Sequence, residues 1–89
     1  MAHWNYRLVR KVYEGVPADE GGVEVYLTEV YYDDAGRPDG YIEGGCRIGG
    51  DTAEDVRKVL TMAAAALNLP VLEEADLDKQ LEAPPQEAP

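Results

Sequence analysis

From Trp4 to Glu14 apolar and polar residues alternate with an imperfect period of two. Trp4, Tyr6, Leu8 and Val12 occupy even positions with Arg10 among them, and Asn5, Arg7, Val9, Lys11 and Tyr13 the odd ones. That pattern predicts a strand with one mainly apolar face. The stretch Gly15 to Gly22, with Pro17, Asp19 and Gly21, is the punctuation of a flexible hairpin loop. The next strand, Val23 to Tyr32, carries bulk on both sides, with Val23, Val25, Leu27, Glu29 and Tyr31 on one and Glu24, Tyr26, Thr28, Val30 and Tyr32 on the other. It suits a central position. Residues 33–39 then supply Asp for side-chain to backbone bonds, Gly for positive φ and Pro for fixed φ, which predicts a hairpin tip before a third strand over Gly40 to Ile48.

A symmetric tip would set Tyr31 opposite Ile42, Leu27 opposite Cys46 and Val25 opposite Ile48, so that the apolar members share one face. The same logic sets Val12 against Val25 and Leu8 against Glu29, leaving Arg10 diagonal to Glu29 and expected to pair with it. Gly49-Gly50 breaks the strand, and Asp51-Thr52-Ala53-Glu54 has the spacing of a capping box. The helix it starts has one apolar stripe, Val56, Val59, Leu60, Ala63, Ala64 and Leu67, expected across Trp4, Leu8, Leu27, Ile42 and Cys46. Asn68-Leu69-Pro70 ends it, because the residue before a proline is driven out of the α region. Pro70-Val71-Leu72 can add a short fourth strand.

Beyond Glu73 the chain is acidic and poor in bulky groups, which predicts disorder in the last ten or so residues and at most a turn or two of helix around Ala75 to Leu81. The expectation is therefore an α+β domain over residues 1–72, a three-stranded antiparallel meander with one helix on one face, followed by a largely disordered acidic, Pro-rich tail over 73–89.

Composition sharpens this picture. A chain of 89 residues has room for one domain, and buries only about 60% of its unfolded surface. Phe is absent and Tyr occurs six times, so most aromatic bulk carries a hydroxyl that needs water or a partner, as on a sheet not buried on both faces. The net charge of −10 argues against direct binding to nucleic-acid phosphates, which relies on Lys and Arg. A basic protein partner fits better, with a homodimer left open. The single cysteine, Cys46, cannot form an internal disulfide, and there is no apolar run of membrane-spanning length. The cytoplasm is the expected compartment.

Candidate chemistry is sparse. His3 lies near a terminus, and Cys46 falls on the expected inward face, where a cysteine behaves as a small hydrophobe. The two share no zinc spacing. Asp33, Asp34 and Asp39 lack the ligand ladder of a calcium loop and read as a turn. Gly44, Gly45, Gly49 and Gly50 precede a helix as phosphate loops do, but Asp51 puts negative charge where a phosphate would sit. No cofactor, metal or catalytic residue is expected; an enzyme would have to lose activity on changing Cys46 or His3. With one helix covering one sheet face, the other is expected to lie open and to carry Arg7, Lys11, Tyr26, Val30, Tyr32, Tyr41 and Arg47, among them the Tyr and Arg enriched at protein interfaces.

The segment Gly45-Cys46-Arg47-Ile48-Gly49-Gly50-Asp51-Thr52-Ala53-Glu54-Asp55-Val56 resembles the signature of HicB-type antitoxins: a Gly-Cys pair, Gly-Asp-Thr before a helix, an acidic pair, then small residues such as Ala63 to Leu67. The resemblance implies a partial ribonuclease-H-like fold, β-β-β-α-β, without that enzyme's acidic catalytic set, acting by binding a small basic toxin. Gly44 stands where that family has Pro, and no DNA-binding segment follows, so operator binding lies outside what is implied. Separately, Trp4 to Lys11 together with Glu29 to Gly36 resembles a group of small uncharacterised bacterial proteins. The resulting expectation is a non-enzymatic, HicB-antitoxin-like module that binds a basic protein. The alternative is a phage-encoded nucleic-acid mimic inhibiting a defence protein, whose binding would fall steeply with salt because it rests on screened charge pairs.

Overall fold

The structure, a computed structural model, describes residues 3–82. Its centre is a pair of ten-residue antiparallel strands, β1 (His3–Val12) and β2 (Val23–Tyr32), paired along their whole length from His3 opposite Tyr32 to Val12 opposite Val23. Strand β3 (Pro38–Tyr41) joins the outer edge of β2 antiparallel, and the two-residue β4 (Leu72–Glu73) joins β1 in parallel. The order β3-β2-β1-β4 makes a mixed four-stranded sheet. Helix α1 (Ala53–Ala64), prolonged by a 3-10 turn over Ala65–Asn68, and helix α2 (Glu74–Glu82) complete an α+β fold. Residues 83–89, for which disorder was expected, lie outside the described residues.

Both hairpins pair two residues away from the expected register. In the first, the loop tightens into a 3-10 turn at Ala18–Glu20, and Tyr13 N donates to Gly22 O at 2.8 Å, so pairing reaches Val12 and Val23. Leu8 therefore faces Leu27, and Tyr6 faces Glu29. A shift of two keeps every side chain on its expected face. It does move Arg10 out of reach of its expected partner: its guanidinium pairs instead with Glu73 Oε1 of β4 at 2.8 Å. In the second hairpin Tyr31 faces Gly40, with a bulge between Tyr31 and Tyr32, and regular pairing ends at Tyr41. The expected strand does not continue to Ile48, because Gly44 and Gly45 adopt φ of 85° and 119° and turn the chain outward. Their detour absorbs two residues. Cys46 N then donates to Leu27 O at 3.1 Å, which restores the expected Leu27–Cys46 adjacency.

The cap of α1 also sits one residue later than the sequence suggests. Thr52, not Asp51, is the N-cap, and its hydroxyl accepts from Asp55 N at 3.1 Å. At the other end the 3-10 turn stops at Asn68, and Leu69 is extended before Pro70, as expected.

The sheet separates two small cores. On the α1 side, buried Tyr6, Ala63 and Ala66 gather Leu27, Cys46, Ile48 and Val59 around them. On the other side lie Val9, Tyr26, Val30, Tyr32 and Leu77, with Tyr41 and Leu72 against them. The largest fully buried side chains, Val9, Val30 and Thr28, all belong to this second face. The face expected to be open is thus the better sealed of the two, because the chain after Glu73 folds back over it as α2.

Gly22 fixes the first hairpin. A Cβ added there would come within 1.9 Å of the Val16 carbonyl oxygen and 2.6 Å of that of Pro17, backbone atoms that cannot swing aside. Gly22→Ala is expected to cost about 1–3 kcal/mol through forced movement of the loop. Urea unfolding checks this, and an unchanged midpoint would show that the loop moves freely.

Candidate protein-docking surface

The tyrosines expected to be available to a partner are instead the fastening of α2. Tyr26 Oη donates to Glu74 Oε2 at 2.7 Å, and Tyr41 Oη donates to Asp78 Oδ1 at 2.5 Å. Glu74 and Asp78 stand one helical turn apart, so their carboxylates reach down from the same side of α2. Burial raises both phenol pKa values, and the hydrogen bond to a carboxylate raises them further. Tyr32 Oη donates to Asn5 Oδ1 at 2.8 Å and accepts from Arg7 Nη1 at 3.3 Å, while Arg7 Nη2 donates to Pro70 O at 2.7 Å. Lys11 Nζ lies 3.1 Å from Glu43 and 3.7 Å from Glu74. These side chains hold the fold together.

Six of the seven residues assigned to an open interface are brought onto one face, therefore, but that face is roofed. Val30 is fully buried, and Tyr26 and Tyr32 are buried as well; Tyr41, Arg7 and Lys11 are partly buried and engaged internally. Arg47 is placed elsewhere, beside a shallow hollow of about 310 Å³ that it lines with Gly49, Gly50 and Asp51. Little in the residues warns of this: nine residues with Leu77 and Leu81 as their large apolar members look like a solvated acidic tail, unless Glu74 and Asp78 are matched to tyrosine hydroxyls on the sheet.

The residues weighed for chemistry are likewise occupied by structure. Burial, followed by repulsion from Glu29, pushes the Cys46 thiol pKa up, away from a reactive thiolate. His3 stacks on Tyr32 with ring centroids 4.8 Å apart. Asp33 Oδ1 accepts from Ala35 N and Arg37 N, both at 2.9 Å, and these backbone bonds, that of Arg37 foremost, hold its pKa below the usual carboxylate value. The tip is a side-chain-closed turn. Among the described residues no group of three or more His, Cys, Asp or Glu is placed to hold a metal, and no helix is long and apolar enough to cross a membrane.

What remains accessible is the α1 side of the sheet. Helix α1 and the 3-10 turn that prolongs it touch it through Ala63 and Ala66 against Tyr6, with Val59 alongside. Such small residues set a narrow line of contact, and the larger side chains flanking them stay outside: Leu60, Met62 and Leu67 are exposed, Leu67 by 72%. The sheet extends beyond the helix at both ends. Trp4 (42% exposed) and Tyr31 protrude at one end of the face, and Val12 and Val25 at the other. The sequence stripe counted Leu60 and Leu67 as inward; the alanines at the centre of that stripe are the signal that the contact is too thin to cover them. Single exposed apolar residues need no explanation; several large ones around one helix make this side the candidate surface. A scan of protein-family models and searches of curated proteins and of solved structures find no match to this chain.

Proposed function

We propose that this chain is a non-enzymatic acidic binding module, HicB-antitoxin-like in its architecture, that docks a basic protein against the exposed apolar surface around α1. The observation that carries this reading is the group of large side chains left uncovered on that side, Leu60 and Met62 on α1, Leu67 on the 3-10 turn after it, and Val12 and Val25 on the sheet. Charge selects the occupant. A body of net charge −10 attracts a cationic partner and repels nucleic acid and acidic proteins. The element order, three strands, a helix and a fourth strand parallel to the first, agrees with the β-β-β-α-β order implied by the resemblance, which supports the architecture. The resemblance to toxin-binding proteins supports a small basic protein as the partner.

The test is capture of a partner from cell extract by the full chain, identification of that partner, and titration of the two purified proteins at low and high salt. A Leu60→Asp/Leu67→Asp double variant changes only exposed positions and should keep its melting temperature. The expected outcome is a basic partner whose affinity survives high salt and falls roughly a hundredfold or more in the double variant, the scale of losing central interface anchors. Binding that collapses with salt and ignores the double variant would replace this reading with nucleic-acid mimicry.

A further inference from the structure

The sheet's edges at β3 and β4 are blunted and the outer edge of β2 ahead of β3 carries Glu24, whereas the start of β1 has no such protection. Strand β3 carries Pro38 and Asp39 and is only four residues long; proline, charge and brevity are the usual defences of an edge. Strand β4 is two residues long and shields β1 at Val9 and Arg10. The segment leading into β4 passes Arg7, where Pro70 O accepts the guanidinium. Upstream, over His3 to Tyr6, β1 pairs with β2 on one side, and among the described residues no backbone hydrogen bond is made on the other. Neither proline, bulge nor carboxylate protects this stretch. A strand presenting unpaired N–H and C=O groups is a template for another strand.

We propose that this edge pairs with the same edge of a second copy, antiparallel about a two-fold axis, so that two sheets join into one across β1. The occupant is set by charge and by face. The chain carries −10 overall, whereas residues 3–8 hold no carboxylate and one formal charge, Arg7. Two copies can meet here without bringing carboxylates together. An antiparallel pair about a two-fold axis normal to the sheet keeps each face continuous, which places the axis beside one residue, Trp4 or Asn5. With the axis at Asn5, Trp4 lies opposite the mate's Tyr6, whose ring is already buried against Ala63 and Ala66, so the indole covers the strand edge beside it. With the axis at Trp4, the two indoles face each other. Either way the 42% of Trp4 left exposed is covered, and no carboxylates are opposed. Because the contact uses the backbone edge of β1 and not α1, it stands apart from the basic-partner reading.

Sedimentation equilibrium of the full chain from low micromolar to millimolar concentration tests the proposal. Trp4 is the one tryptophan, so its emission should shift to the blue as dimer forms. Trp4→Lys should weaken the dimer by roughly tenfold or more, as loss of a central aromatic anchor does, while Met62→Lys on α1 should leave it intact. In a Cys46→Ser background, Trp4→Cys or Asn5→Cys should give a disulfide-linked dimer on mild oxidation, since residues directly opposite in an antiparallel pair sit at bridging distance. A chain that stays monomeric throughout, or a dimer that persists undiminished in Trp4→Lys and is trapped by neither cysteine, would overturn the proposal.

Discussion

Leu77→Ala should lower the unfolding free energy by about 2–4 kcal/mol, within the range for deleting a buried leucine. Leu77 is only 3% exposed and lies among Val9, Tyr26, Val30 and Tyr32. Two effects combine. The truncation leaves a void over the best-buried part of the sheet, and it loosens a nine-residue helix that is too short to persist in water without its tertiary contacts. The change should therefore show locally before it shows globally: amides of α2 should exchange faster than those of β2, and a dye that binds apolar surface should report the uncovered face below the main transition. Leu81, the other leucine of α2, is 41% exposed, and Leu81→Ala should fall within about 0.5 kcal/mol of the parent, as surface substitutions do. Equal costs for the two variants would mean that α2 does not roof the sheet.

That contrast explains which parts of the structure could be read from the residues. Strand periodicity located β1 and β2 and assigned their faces, because alternation is a local property that a register shift of two leaves untouched. The register itself depends on how tightly a loop closes, and the compaction of Ala18–Glu20 and the close approach of Gly22 to Val16 are tertiary facts. Helix α1 was legible from its stripe and its stop at Pro70, and β4 from the residues that follow. The roof over the second face was not. Its attachment rests on Tyr26–Glu74 and Tyr41–Asp78 hydrogen bonds, and a carboxylate that will bond a distant phenol looks the same in sequence as one that faces water. The excess of tyrosine over phenylalanine, taken as the sign of an open sheet, records this instead: hydroxyls are needed because the covering helix is acidic. The accessible surface consequently moves to the other side of the sheet, where a helix contacting through alanine leaves its leucines outside.

Raising the pH above 10 should release α2 before the rest of the chain unfolds. Tyr26 and Tyr41 both have phenol pKa values raised above the ordinary 10.0, burial being the larger cause and the bonds to Glu74 and Asp78 the next. Glu43 adds to the effect on Tyr26, and Glu74 and Tyr26 add to that on Tyr41. A group whose folded pKa exceeds its unfolded value contributes stability that is complete below the unfolded pKa and is lost as pH rises toward the folded one. The window therefore opens at pH 10 and extends upward. Each tyrosine still protonated in the fold while its unfolded counterpart ionises withdraws up to about 1.4 kcal/mol per pH unit. The loss falls on the contacts that hold α2, and it is smaller for the partly exposed Tyr41 than for the buried Tyr26. Tyrosinate absorbance should accordingly rise in two stages, the exposed phenols first and the α2-bound pair together with a loss of helical signal. Tyr26→Phe/Tyr41→Phe should remove the second stage, at the expense of leaving the Glu74 carboxylate without its phenol donor and lowering stability at neutral pH. A single smooth titration, with helix content constant to pH 12, would show that the two phenols ionise in place and that α2 is held by Leu77 alone.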